Sequence, residues 1–77
     1  MELPGPLALR AQRWRATFKA TSARRLALFL DDRHDFTAAL FAAWAEQKQV
    51  VLPGDNLPAT VRALEPHVDA WVGDFSQ

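Results

Sequence analysis

The sequence predicts an α/β fold, and three observations carry that prediction. Short unbroken apolar runs alternate with longer stretches whose apolar residues recur at helical spacing. Clusters of turn formers separate them, and the links are short. Two successive strand-helix-strand units with such links leave room only for parallel strands joined by right-handed crossovers.

After Pro4-Gly5-Pro6, Leu7, Ala11, Trp14 and Phe18 recur at helical spacing, with Arg10, Arg13 and Lys19 on other faces. An amphipathic helix is expected over 7–20. Thr21-Ser22 breaks the pattern, and Leu26-Ala-Leu-Phe-Leu30 is too short for a helix, so a strand buried on both faces is expected over 25–30. Asp31-Asp32-Arg33-His34-Asp35 reads as a polar turn, with Asp35 placed to cap a helix over 35–48. Phe36, Ala39, Leu40, Ala43 and Trp44 would share that helix's apolar face.

Val50-Val51-Leu52 predicts a second strand over 49–52, stopped by the turn formers Pro53-Gly54-Asp55-Asn56. Pro58 suits the first turn of a helix over 58–66, with Val61 and Leu64 at i and i+3 and Pro66 as its end. Ala70-Trp71-Val72 falls in a third strand, over 69–73. The sum is an N-terminal amphipathic helix followed by βαβαβ, with a partial parallel three-stranded sheet, an incomplete Rossmann-like unit. Residues 1–77 read as a single unit and as a fragment of a larger domain.

Composition supports a folded core. Hydrophobic residues make up 49% and charged residues 23%, far from the signature of disorder. A domain of 77 residues buries only about 60% of the surface its unfolded chain exposes, so its margin of stability is thin. No cysteine is present, which excludes disulfides and thiolate zinc sites. No window approaches the ~20 apolar residues of a membrane span, and the N-terminus lacks a signal-peptide pattern. A cytoplasmic location is expected.

Charge is balanced overall but uneven along the chain. Arg10, Arg13, Arg15, Lys19, Arg24 and Arg25 crowd the first third, whereas Asp55, Glu65, Asp69 and Asp74 dominate the last. Trp14 and Phe18 fall on the apolar stripe of the basic helix, so core packing accounts for them better than nucleic acid or membrane binding. Trp44 and Trp71 lie in apolar segments and are expected to pack helix against sheet. Neither a nucleic acid nor a membrane partner is expected.

Asp31 and Asp32 follow a buried parallel strand, at the edge where open α/β sheets bind ligands. Paired carboxylates there could hold a hard divalent cation, but a solvated turn with a helix cap accounts for them more simply, because the helix dipole and capping already favour acidic residues near a helix N-terminus. Asp74 ends the third strand as they end the first, so the three carboxylates could converge on one sheet edge. That arrangement resembles a response-regulator receiver domain, which would imply magnesium on Asp31 and Asp32 and phosphoryl transfer to Asp74. The receiver's remaining strands and its Thr/Ser and Lys positions are not in the sequence, and the second loop is unusual for it.

Other chemistries find little support. Gly5, Gly54 and Gly73 fit neither a GxGxxG nor a GxxxxGK[ST] phosphate loop. His34 and His67 are separated by a strand, a loop and a helix, without HExxH spacing. Ser22 and Ser76 sit in no nucleophile-elbow context.

The stretch from Arg25 to Val61 is similar to the N-terminal part of the AMP-forming (AMP-binding, adenylate-forming) acyl-CoA synthetases. Leu26–Leu30, Asp31–Asp35, Phe36, Val50–Pro53 and Pro58-Ala59 match, in order, that family's apolar strand, polar turn, Phe-containing helix, second strand and following helix. Val68 to Phe75 looks like the next strand and Trp14 to Phe18 resembles the preceding helix, so the likeness covers residues 10–75. Leu-Pro-Gly-Asp-Asn-Leu-Pro-Ala-Thr, residues 52–60, is its most specific part.

The resemblance implies a parent enzyme that uses ATP and magnesium to activate a carboxylic acid as an acyl-adenylate, then transfers it to a thiol. The family's phosphate loop, aromatic-x-Thr-Glu motif, ribose-binding aspartate and catalytic lysine are not in the sequence. It therefore carries over no catalytic, cofactor-binding or metal residue, and a chain inactive on its own is expected. The rest of the parent enzyme would be its partner. A third reading is a small interaction module that associates with itself through an open sheet edge.

Overall fold

The computed structural model describes residues 5–75. In chain order the elements are α1 (Gly5–Lys19), β1 (Arg25–Phe29), α2 (Arg33–Ala45), β2 (Gln49–Val51), α3 (Pro58–Leu64), a 3-10 turn (Glu65–His67) and β3 (Ala70–Gly73). The α/β class and the order of elements agree with the sequence reading. All three strands are parallel, in the order β2-β1-β3.

Burial explains that order. Leu26, Ala27 and Leu28 of β1 are all buried, as a central strand covered on both faces requires. Arg25 pairs with Gln49 and Ala27 with Val51 on one side, while Leu26 pairs with Ala70 and Phe29 with Gly73 on the other. The chain runs from β1 to one edge through α2, then back past β1 to the other edge through α3. Right-handed crossovers in opposite directions put α2 and α3 on opposite faces of the sheet.

The core lies between the sheet and the α1–α2 pair. Phe18, Leu26, Leu28, Ala39, Ala42 and Ala43 form its buried centre, with Trp14, Leu30, Phe36, Leu40, Val50, Ala70 and Val72 packed around it. Trp14 stacks on Phe18 with ring centroids 5.5 Å apart. The aromatic residues of α1 thus pack inward, as their position on the apolar stripe predicted.

α2 is buried along two sides. Ala38, Ala39, Ala42 and Ala43 are all within 1% of complete burial. Small side chains at these four positions let α2 lie close to both α1 and the sheet. Trp44, expected on the same apolar face, is instead 55% exposed and meets Phe41 edge-on at 5.7 Å. The alanine pairs, with Phe36 and Leu40 packed beside them, define the covered surface, and Trp44 lies outside it.

Helix boundaries differ from expectation for identifiable reasons. Asp32, not Asp35, caps α2: its Oδ1 accepts the backbone N–H groups of His34 and Asp35 at 2.8 and 3.1 Å. The helix ends at Ala45 rather than Lys48. There the Gln47 N–H donates to Trp44 O and the Lys48 N–H to Ala43 O, with Gln47 at φ 60°, the hydrogen-bond pattern of a Schellman motif. At the far end of α3, Pro66 sits inside the 3-10 turn that follows the helix rather than at the helix terminus.

The second face of the sheet is thinly covered. Alternation along the strands puts Ala27, Phe29, Val51 and Trp71 on it. Phe75 closes over part of it, 5.0 Å from the Trp71 ring and 6.1 Å from the Phe29 ring. α3 buries none of its residues. Among the described residues, no helix is long and apolar enough to cross a membrane.

Candidate functional site

The place to look for chemistry is the C-terminal edge of the sheet, where β1 and β3 end side by side and the chain leaves them in different directions. Asp31 and Asp32 follow β1, and Asp74 follows β3. The Asp31 N–H donates to Asp74 Oδ2 at 3.3 Å. Asn56 joins them from the loop after β2, donating through Nδ2 to the Asp74 carbonyl at 2.6 Å. Loops after all three strands therefore meet at this edge.

Two features of the backbone make the meeting possible. Asp74 donates its N–H to Phe29 O at 2.8 Å, which prolongs the β1–β3 pairing by one residue. Gly73 stands just before it at φ 111°, and a Cβ built there would lie 2.0 Å from Phe29 O. Only glycine fits this crossing. In the sequence Gly73 belongs to no phosphate loop, and its place at a strand end is the signal of a close backbone approach.

The three carboxylates do not converge as a cation site. Among the described residues, no three His, Cys, Asp or Glu side chains are grouped to hold a metal ion. Asp32 is turned away to cap α2, and Arg10 approaches its other oxygen at 3.7 Å. The N–H groups of Asp35 and His34, with Arg10 as a lesser contributor, hold its carboxyl below the usual range. What Asp31 contributes to Asp74 is a backbone donor.

Asp55 is likewise committed to its own loop. Its Oδ1 accepts the Thr60 hydroxyl and the Leu57 N–H, and these two bonds lower its pKa, with the hydroxyl the larger cause. This side chain organises the start of α3, where the residue preceding the helix, Leu57, offers no side-chain cap. The loop after β2 is thus built to present Asn56 to Asp74.

Basic residues of the first third serve the fold in three cases. Arg10 lies 3.7 Å from Asp32 and 4.0 Å from Asp35, and Arg15 donates to Glu46 at 2.8 Å. Arg25 pairs with Asp69 at 3.0 Å. Trp14 adds an indole N–H to Asp35 Oδ1 at 2.8 Å. These contacts fasten α1 to α2 and β1 to the segment leading into β3.

The remaining candidates stay apart. His34 lies exposed in the first turn of α2, and His67 lies exposed at the end of the 3-10 turn. Ser22 is exposed in the loop before β1, beside Arg24, Glu46, Gln47 and Lys48. Ser76 lies outside the described residues. A shallow cleft at the ends of β1 and β2, about 270 Å³, is lined by Phe29, Leu30, Phe36, Leu52 and Pro53 with Arg33 at its margin. No nucleophile, base and orienting group stand together along it.

Compared with protein-family models, curated proteins and solved structures, the chain matches none.

Proposed function

We propose that this sequence is the N-terminal scaffold of an AMP-forming acyl- or aryl-acid synthetase. It would support the sheet on which the rest of a cytoplasmic parent enzyme carries its acyl, ATP and magnesium sites. The observation that carries this reading is the unfinished layering: β1 is buried, yet on the face bearing Phe29, Val51 and Trp71 the described residues put the Phe75 ring against Phe29 and Trp71, and α3 buries no residue. A sheet of this kind belongs to a three-layer domain with helices packed on both faces. The order of elements, matching the resemblance from residue 10 to residue 75, gives the reading its family.

On this reading the carboxylates at the sheet edge are structural. Asp32 caps, Asp55 organises a loop and Asp74 joins β3 to the loops beside it. The isolated 77-residue chain should give no ATP–pyrophosphate exchange with any carboxylic acid, whereas a native polypeptide carrying this sequence as its N-terminal scaffold should. Exchange by the isolated chain, or none by a longer native polypeptide across a broad panel of acids, would refute the proposal.

One observation favours a second reading, a receiver-like fragment: Asp31 and Asp74 are in contact at the ends of neighbouring parallel strands. Magnesium titrated with a phosphoryl mimic separates the two. Saturable shifts of the Asp31 and Asp74 amides, lost in Asp31→Ala, support the receiver, and their absence supports the scaffold.

A further inference from the structure

Trp44 and the cleft at the ends of β1 and β2 lie on one row of α2. Phe36, which lines the cleft, Leu40 and Trp44 follow one another at four-residue spacing, so they form a single ridge along the helix. The ends of the ridge are roughly 12 Å apart, at 1.5 Å of rise per residue. At one end Trp44 stands 55% exposed, with Phe41 edge-on against it at 5.7 Å. At the other, Leu52, 56% exposed, borders the cleft.

One flank of the molecule thus presents an apolar knob and an apolar hole. The cleft, about 270 Å³, is lined by Phe29, Leu30, Phe36, Leu52 and Pro53 and is large enough to take one aromatic side chain. Arg33 at its margin offers a cation to an aromatic face. Trp44 cannot reach the cleft of its own chain, because α2 holds both ends of the ridge apart. A second copy can bring them together. Turned about a two-fold axis near Leu40, it lays its own ridge antiparallel on the first, and each Trp44 meets the other copy's cleft.

Charge favours this orientation over a parallel one. Asp31, Asp32 and Asp35 stand at the N-terminal end of α2, and Arg24 and Lys48 at its C-terminal end, where Glu46 is already paired with Arg15. An antiparallel pair sets the acidic end of each helix against the basic end of the other and opposes the helix dipoles. The neighbouring edge strand keeps the contact to side chains. β2 has three residues, begins at exposed Gln49, follows Lys48 and is followed by Pro53, all of which discourage main-chain pairing.

We propose that this chain forms a two-fold dimer in which Trp44 of each copy seats in the cleft between Phe36 and Leu52 of the other. The dimer goes beyond the scaffold reading and does not depend on it. It contains the same contact twice, and an aromatic anchor in an apolar pocket is where interface energy concentrates.

Sedimentation equilibrium of the 77-residue chain and of two variants tests this. The parent chain should approach twice 8.6 kDa with rising concentration and go no higher. Trp44→Ala removes the knob and Leu52→Arg fills the hole, and each alone should raise the dissociation constant by at least about 10-fold. Both side chains are more than half exposed, so neither change opens the core. Mixed in equal amounts, the two variants should associate more tightly than either does alone, because the mixed pair restores one of the two Trp44 contacts. A parent chain that stays monomeric, dimers that both substitutions leave unchanged, assemblies larger than a dimer, or a mixture no tighter than its components would overturn the proposal.

Discussion

Asp69 and Arg25 lock the beginning of β3 to the beginning of β1 from both backbone and side chain. The Asp69 N–H donates to Arg25 O at 2.7 Å, and the Asp69 carboxylate accepts the Arg25 N–H at 2.9 Å, the Arg24 N–H at 3.2 Å and the Arg25 guanidinium at 3.0 Å. One carboxylate thereby fixes the register of two strands 44 positions apart in sequence.

The Asp69 contacts make stability depend on pH. The Arg25 guanidinium, then the Arg25 and Arg24 N–H groups, hold the Asp69 pKa down to about 2. A depressed carboxylate pKa contributes stability that is fully present above its unfolded value of 3.8 and is lost as pH falls toward 2. Denaturation midpoints measured from pH 6 to pH 2 should fall most steeply below pH 4. Asp69→Asn should be less stable at pH 6, and its decline below pH 4 should be shallower.

Gln47 occupies the left-handed position that ends α2, at φ 60°, where a Cβ is unfavourable. Gln47→Gly should stabilise the chain by about 1 kcal/mol, because glycine adopts this conformation without that strain. Urea unfolding of the two proteins measures the difference. A variant no more stable than the parent would mean that the Gln47 side chain makes an offsetting contact.

Much of this architecture was legible because apolar run length and turn chemistry agree along the chain. Leu26–Leu30 was too short for a helix and too apolar for an exposed strand, and Pro58 marked a helix start that the structure reproduces. Fine placement depended on contacts distant in sequence. Asp32 and Asp35 are both good caps by type, and the choice between them is made by the geometry that aims Asp32 Oδ1 at two N–H groups. Trp44 was misplaced because a helix buried on two sides has no single apolar stripe, and the four alanines decide where α1 and the sheet approach.

The candidate site was legible in position and not in geometry. Strand ends predicted that Asp31 and Asp74 would be neighbours, and they are. That Asp32 would face the helix, and that Asn56 would reach Asp74 from a third loop, depends on side-chain directions which spacing does not encode. Spacing places Asp69 at the start of the third strand and among the acidic residues of the last third, but its bonds to Arg24 and Arg25, which fasten β3 to β1, depend on a pairing that spacing does not encode.

The buried alanines of α2 predict sensitivity to added volume. Ala42 is completely buried and belongs to the core centre. Ala42→Leu should destabilise by about 1–3 kcal/mol, since the added methylenes have to displace a close-packed neighbour. Ala45→Leu, on the exposed last residue of the same helix, should change stability by no more than about 0.5 kcal/mol. Chemical denaturation followed by far-UV circular dichroism distinguishes the pair.

Gly73 is the position where a single methyl group should do most harm. Its φ of 111° is one that L side chains rarely adopt, and an added Cβ would meet the Phe29 carbonyl oxygen at 2.0 Å and its carbon at 2.8 Å. Both atoms are backbone of the central strand, so no side chain can swing aside to relieve the contact. Relief requires β3 to draw away from β1, which breaks the bond from the Asp74 N–H to Phe29 O and separates Asp74 from the Asp31 N–H. Strain and a lost hydrogen bond together put the cost of Gly73→Ala at about 3 kcal/mol or more. Gly54→Ala is the control, because nothing lies within 4 Å of a Cβ there. Its effect should stay within about 0.5 kcal/mol. Equal unfolding midpoints for the two variants would show that β3 leaves β1 without loss, and would remove the structural basis for reading Asp31 and Asp74 as one edge.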